Sequence, residues 1–453
     1  MEYKEFLRKK AILAGNFGFE VNESDLNVNL FPFQKYVVAW ALKKGRAAIF
    51  ADTGLGKTLM QLDFAQKIVE KTNKPVLILT PLAVSYQTIK EAERFGIEAS
   101  RSVDGKIKSK ITVTNYERIH YFNRDDFGGC VADESAVIKN EKSEMRKKLT
   151  EFMRYMKYRL LCTATAAPND YPELGTSSEA LGMLGFDDMI GNFFKSSDAT
   201  HHPKWNGKRY MLKPHAEKDF WRWVCSWAIA LRKPSDLGFS DDGYNLPPLT
   251  TRETIVKASV PFDGEMFVRE AIGIEEQRAE RKNTWKDRCT AAAEKMMEHD
   301  VSIGWGAFDY ETDALTRMIP GAVQVKGSMR DEEKEEKLMA FSAGEIKHLI
   351  TKQSIAGHGL NWQHCNHMVV FPTHSFEQFY QGVRRCWRYG QKNEVIVDII
   401  TTPGEGRVLE NLNRKAKAAE KMFEMLVKQM KNELYLKPDF GEFKNETQRP
   451  SWL

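Results

Sequence analysis

Short, mainly apolar runs alternate with longer charged stretches of helical period, and the chain does this twice. The first block has AAIF (47–50), PVLILT (75–80), ITVTNY (111–116), CVAD (130–133) and YRLLCTAT (158–165). The second has VSIGWG (301–306), AVQVKG (322–327), HLITK (348–352), HMVVF (367–371) and EVIVDII (394–400). Runs this short and mainly apolar suit strands buried on both faces, and strands joined through helices pair in parallel. Each block therefore predicts a doubly wound α/β lobe whose strand ends form a ligand-binding rim. The length of 453 residues agrees, since it allows roughly two to four domains.

Between the blocks the pattern breaks. Residues 171–232 are irregular and aromatic, with Trp205, Trp221, Trp223 and Trp227, and 234–250 is dense in Pro, Gly and Asp. Residues 266–299 read as helical and charged, and 407–431 as a long helix rich in Lys and Arg. The expected partition is an N-terminal segment (1–28), a first lobe (29–170) and a helical, aromatic insertion (171–233). A linker and helical segment (234–290), a second lobe (291–402) and a basic helix with tail (403–453) follow.

Composition narrows the class. A hydrophobic fraction of 42% against 28% charged excludes disorder along most of the chain. No apolar run approaches the ~18 residues of a spanning helix, and the first twenty residues mix charge into their apolar positions, unlike a signal peptide. Six scattered cysteines without a Cys-x-x-Cys pair read as buried thiols in a reducing cytoplasm rather than a zinc site or disulfide frame. A net charge of +5 is too mild to mark a dedicated nucleic-acid binder on its own.

The chemistry starts at Ala51-Asp52-Thr53-Gly54-Leu55-Gly56-Lys57-Thr58, between a strand and a helix. Gly54 and Gly56 let the backbone curl with its N–H groups facing a phosphate chain, and the helix N-terminus adds favourable charge. Lys57 would reach the β/γ-phosphates and the Thr58 hydroxyl would ligate magnesium. A second carboxylate is then needed at a neighbouring strand end, and Asp133-Glu134 closes the run GGCVA. Asp133 would hold the magnesium and Glu134 would polarise the attacking water.

These two motifs, ADTGLGKT and DESAVIKN, resemble motifs I and II of superfamily 2 helicases, and specifically of Swi/Snf-type ATPases, whose Lys-Asn falls at Lys139-Asn140. LFPFQKYVVAW resembles the family's adenine-reading segment, which points to Gln34. LTPLAVSYQ (79–87) and TNYE (114–117) resemble the next two motifs. CTATAAPND (162–170) resembles motif III, with Thr163 and Thr165 as coupling hydroxyls, and ALRKPSDLG followed by NLPPL resembles the bridge between lobes. TKQSIAGHGLNWQ (351–363) resembles motif V and SFEQFYQGVRRCWRYGQ (375–391) motif VI. The resemblance spans about residues 30–402, and its compactness is most like that of small phage-encoded members.

The resemblance implies two RecA-like lobes that bind ATP and magnesium, with Gln34 and 52–58 on the nucleotide. It implies catalysis by Lys57, Asp133, Glu134, Gln381, Arg385 and Arg388. Arg385 and Arg388, spaced i, i+3 on an expected helix, would share one face toward the γ-phosphate, and Arg384 would point elsewhere. It implies sequence-independent grips on DNA, expected to be double-stranded, through Thr80, Pro81, Ser85, Thr114 and Asn115, and through Thr351, Gly357, Gly359 and Asn361. The expected activity is ATP-driven translocation on duplex DNA in the cytoplasm of a bacterial or phage-infected cell, with strand separation or fork remodelling as the alternative and a non-hydrolysing clamp as the rival class.

Two departures stand out. Ala136 replaces the family's motif II His, and Ala164 and Ala166 replace the Gly and Pro of motif III. Weaker signals are Trp223 and Trp227, one helical turn apart, which read as core packing before a base-stacking wedge, and His201-His202, which lacks partner ligands. Arg414, Lys415, Lys417 and Lys421 form a basic helical stretch that fits either DNA or solvent.

Overall fold

The computed structural model describes residues 13–139, 143–167, 171–197, 204–205, 208–257, 274–357, 360–373 and 375–433. The chain divides into two compact units, 1–244 with 418–453, and 245–417.

The first unit is built on seven strands. They are β1 (Arg46–Ala51), β2 (Val76–Thr80), β3 (Ala99–Arg101), β4 (Ile111–Asn115), β5 (Gly129–Asp133), β6 (Tyr158–Thr163) and β10 (Ala228–Leu231). They lie in the order β10-β1-β6-β5-β2-β4-β3, and every pairing is parallel. β2, β4, β5 and β6 are buried along their whole length, as strands of a parallel sheet covered on both faces are. Helix Pro32–Lys44 leads into β1, helices Lys57–Thr72 and Leu82–Arg94 supply crossovers, and Phe64 and Ile68 fill the core with no exposed area.

β10 comes from the segment expected to be an insertion. AIAL is too short to stand out from the aromatic helix Glu217–Cys225 before it, yet it completes the first sheet beside β1. The rest of that segment holds a small antiparallel ribbon, β7 (Phe194–Ser196), β8 (Lys204–Trp205) and β9 (Lys208–Leu212). Trp221, Trp223 and Trp227 are at most 2% exposed and pack with Phe193 and Phe220, so they are core and not a wedge. His201-His202, Asn140 and Asn169 lie outside the described residues.

The second unit carries six parallel strands in the order β11-β16-β15-β12-β14-β13. These are β11 (Leu249–Ile255), β12 (Ser302–Trp305), β13 (Val323–Gln324), β14 (His348–Thr351), β15 (His367–Val370) and β16 (Val395–Thr401). β11 begins inside the stretch expected to be linker. Its residues are half-buried or exposed, as an edge strand allows, so no apolar run announced it. Of the helix expected over 266–299, residues 266–273 lie outside the described residues, and the rest forms two helices, Ile274–Asn283 and Trp285–Met297. Thr284 separates them; its hydroxyl and its backbone N–H both donate to the Glu280 carbonyl, at 2.7 and 2.9 Å. Trp305, Phe341 and Trp362 anchor the core.

The last helix, Gly406–Glu433, contains the basic stretch. From Ala418 onward it belongs to the first unit, where Met422, Phe423, Leu426 and Met430 are buried. Arg232 stacks on Phe423 at 5.0 Å and pairs with Glu420 at 3.6 Å. Unit division thus falls after Tyr244 and again within this helix, where the sequence suggested breaks after 233 and 402.

Candidate active site

β1, β6 and β5 are neighbours in that order and run parallel, so three motifs end on one rim. β1 leads into the phosphate loop, β6 ends at Thr163 and β5 at Asp133, followed by Glu134. This is where an open α/β sheet binds ligands.

In the loop, Gly54 (φ 88°) and Gly56 (φ 77°) take left-handed backbone conformations that a side chain would strain. A Cβ on Gly56 would also lie 2.3 Å from Gln34 Nε2. Gln34, expected to read adenine, is buried and braces the loop. Its Oε1 accepts from the Phe31 N–H at 2.8 Å, and its Nε2 donates to the Leu55 carbonyl at 2.9 Å. Asp52 Oδ1 accepts from the Thr53 N–H at 2.7 Å. Lys57 Nζ donates to the carbonyls of Ala51 (2.8 Å) and Asp52 (3.3 Å), which holds the ammonium within the curl. Thr58 is half-buried next to it in the first turn of the helix.

Asp133 and Glu134 are both buried. Gln61, one helical turn beyond Lys57, donates to Asp133 Oδ1 at 2.6 Å, and the Tyr116 hydroxyl donates to the Asp133 backbone carbonyl at 2.5 Å. Burial, then the neighbouring charge of Glu134, pushes the Asp133 carboxyl up to about 6. Asp133 and Glu134 are adjacent buried carboxylates at the rim, hard oxygen donors of the kind that fit a divalent cation. Gln61 Oε1 is buried and without a partner among the described residues.

Glu134 takes a left-handed backbone conformation (φ 49°), a conformation found at functional turns. The Thr163 hydroxyl donates to Glu134 Oε2 at 3.4 Å and accepts from the Thr165 N–H at 3.1 Å, so motif III touches motif II directly. Ala136 is buried and brings no polar group to this contact.

In the second unit, motif VI differs from the expected helix. The helix Phe376–Val383 ends before the arginines, which lie on turns over 384–390. Arg385 is 2% exposed. It donates to the Gln381 carbonyl (2.9 Å), Gln381 Oε1 (2.9 Å) and the Leu360 carbonyl (3.1 Å). Arg385 with Gln381 is therefore internal scaffolding in this conformation, and Arg388, half-buried with Nη1 3.5 Å from the Leu360 carbonyl, is the arginine nearer solvent. Arg384 does point elsewhere, into the rings of Tyr380, Trp387 and Tyr389.

Most of the residues expected to grip DNA are buried. Thr80, Ser85, Thr114 and Thr351 are at most 1% exposed. Ser85 donates to the Leu82 carbonyl, Thr114 to Ser102 and Thr351 to Val325, so these hydroxyls fix the local backbone and do not face an open surface. Asn115 is also buried, its Nδ2 donating to Glu117 Oε2 at 2.9 Å. Gly357 is buried at the end of a short helix, its N–H donating to the Gln353 carbonyl at 2.8 Å, and Gly359 is outside the described residues. Pro81, at the start of the helix Leu82–Arg94, is half-buried, and Asn361 is exposed.

The sequence reading missed Gln61 and Tyr116. Gln61 was within reach, because i, i+4 spacing from Lys57 puts it on the same helix face. Tyr116 was not, since only the β5–β2–β4 order brings it near Asp133.

The DEAD/DEAH box helicase family matches residues 31–174, and the helicase conserved C-terminal domain matches 309–390. Human DNA annealing helicase and endonuclease ZRANB3 is 26% identical over 230 residues, 44% of this chain and 21% of that protein. The SWI/SNF chromatin-remodeling complex subunit snf22 of Schizosaccharomyces pombe is 29% identical over 147 residues, 28% of this chain and 9% of that protein. The chain thus matches about a fifth or less of the length of these relatives. Among solved structures, the Mycobacterium smegmatis helicase Lhr, bound to ssDNA and AMP-PNP, shares 15% identity and a TM-score of 0.51 over 86% of this chain and 48% of its own, a likeness of fold. With both helicase domains matched in order and Swi/Snf-type proteins among the relatives, the chain carries the two domains of a superfamily 2 helicase and is similar to the Swi/Snf-type ATPases.

Proposed function

We propose that this protein is a DNA-dependent ATPase that converts ATP hydrolysis into stepping along duplex DNA. The observation that carries the reading is the contact of the helix following the phosphate loop with the acid pair, through Gln61 to Asp133 at 2.6 Å, with Thr163 on Glu134 at 3.4 Å.

In this reading Lys57 and the backbone N–H groups of the loop hold the phosphate chain of ATP. Glu134, oriented by Thr163, accepts a proton from the attacking water. Asp133 and Thr58 would hold magnesium, which when bound neutralises charge on the phosphates. Arg388 supplies positive charge to the transferring phosphoryl group, on a turn that Arg385 and Gln381 hold in shape. Hydrolysis removes the γ-phosphate that the loop engages, and the cycle of grip and release drives stepping. On the DNA side, the helix N-terminus at Pro81 and the exposed Asn361 suit phosphate oxygens, which fix position without reading sequence. The relatives named for DNA annealing and chromatin remodelling support DNA as the track.

The test is ATPase activity with duplex, single-stranded and forked DNA and with RNA, beside a triplex-displacement assay. Stimulation by duplex DNA with third-strand displacement and no unwinding is expected. Stimulation by RNA alone, or unwinding without displacement, would overturn the reading.

A further inference from the structure

The turn bearing Arg385 and Arg388 is fastened at a place that phosphate chemistry alone does not require. Trp387 lies between the two arginines, half-buried against the second unit's core. Its indole N–H donates to the Pro247 carbonyl at 2.8 Å. The next residue, Pro248, accepts from the Val395 N–H at 3.0 Å, just where β11 and β16 start to pair. Pro247 belongs to the stretch by which the chain enters the second unit, which begins at Asn245. The first unit ends at Tyr244, itself buried edge-on against Phe31 and Phe33 at 5.8 and 5.3 Å. Those two rings come just before Gln34 in sequence, the residue that braces the phosphate loop.

The attachment is stiff. Pro247 precedes Pro248, so both ring constraints act there and the Pro247 carbonyl has a narrow range of directions. On its other side the Trp387 ring carries the Arg384 guanidinium at 4.8 Å, and Arg384 is 1% exposed. The indole is thus held between a rigid carbonyl and a buried cation, one residue from Arg388.

We propose that Trp387 is a positioning residue: bonded to Pro247 and stacked on Arg384, it sets the place of Arg388 by the chain segment that joins the two units. A movement of that segment then reaches the arginine through one hydrogen bond. The inference rests on the ATPase reading and adds a residue that reading does not use.

Trp387→Phe keeps a ring for Arg384 and removes only the N–H. Expected is a kcat about five- to tenfold lower with KM for ATP within about twofold of wild type. The thermal midpoint should stay unchanged. Hydrogen exchange measured without nucleotide should speed up at amides 384–391 and not elsewhere in the unit. Arg384→Lys, which leaves a cation over the ring, should retain more kcat than Arg384→Met. Unchanged kcat, an equal loss in kcat and ATP affinity, or faster exchange throughout the second unit would each overturn the proposal. The last two would mark Trp387 as ordinary packing. If the wild type shows no ATPase that Lys57→Ala removes, the ATPase reading fails by itself. The exchange readout still decides whether Trp387 holds the turn: unchanged exchange at 384–391 overturns that, and a local rise supports it.

Discussion

Replacing Asp63 by Asn should stabilise the first unit at neutral pH and not at acid pH. Asp63 sits on the phosphate-loop helix with 1% exposure. One oxygen is 3.3 Å from the Asn27 N–H, and the other has no partner among the described residues. Burial, only partly relieved by Asn27 and by Lys67 and Lys35, lifts its carboxyl from 3.8 to about 6. A raised carboxyl pKa means that the folded state holds a proton the unfolded chain has already released. The ionised form therefore weakens folding progressively from about pH 4 to about pH 6, and the whole cost is present above that window. At 1.36 kcal/mol per pH unit the difference is worth about 3 kcal/mol as an upper figure. Asn keeps the acceptor for Asn27 but buries a new donor, which costs about 1–2 kcal/mol. The variant should thus be about 1–2 kcal/mol more stable than wild type near pH 7.5 and less stable by a similar amount near pH 4. Urea unfolding at both pH values, with amide protection of β1 and β6 reporting the first unit, measures this. A difference of the same sign and size at both pH values would refute the reasoning, because it would mean that the native carboxylate is ionised and satisfied throughout.

The site yields three further expectations. Gly56→Ala places a Cβ 2.3 Å from Gln34 Nε2 on a backbone at φ 77°, so KM for ATP should rise more than about tenfold, read by ATP titration. Glu134→Gln should lower turnover by about 10² or more while a fluorescent nucleotide still binds, since it removes a base and leaves the loop intact. Arg388→Ala should cut kcat by about 10³ and change stability little, whereas Arg385→Ala should lower the unfolding midpoint, because it strips three internal hydrogen bonds; equal behaviour of the two in parallel kinetics and calorimetry would refute the division of roles.

Much of the fold was legible because buried parallel strands advertise themselves. β2, β4, β5 and β6 are short runs rich in apolar and β-branched residues, and each is buried along its length. β10 and β11 were not legible. One is four residues behind an aromatic helix, and the other is an edge strand, half wet, following two prolines. At the site, the phosphate loop and acid pair could be read because Gly, Lys, Thr and carboxylates have few other uses in that order between strand and helix. Side-chain direction could not. Thr114 and Thr351 match a phosphate-gripping pattern by residue type, but a hydroxyl also satisfies a nearby carbonyl, and that local bond is made here. Arg385 and Arg388 share a spacing, yet the helix ends at Val383, so the spacing no longer puts them on one face.

The first sheet has its own strand β10 at residues 228–231, covered by a helix that arrives only after residue 417. During synthesis the second unit, 245–417, emerges in between. At about 5–20 residues per second that interval lasts roughly 10–40 s. Through it Ala230, Cys225 and the Arg232 stem await Met430, Leu426 and Phe423. The nascent first unit therefore carries an uncovered apolar strip that the ribosome or a chaperone must shield. A chain cut at residue 244 would keep that strip permanently, and it should aggregate where the full chain does not.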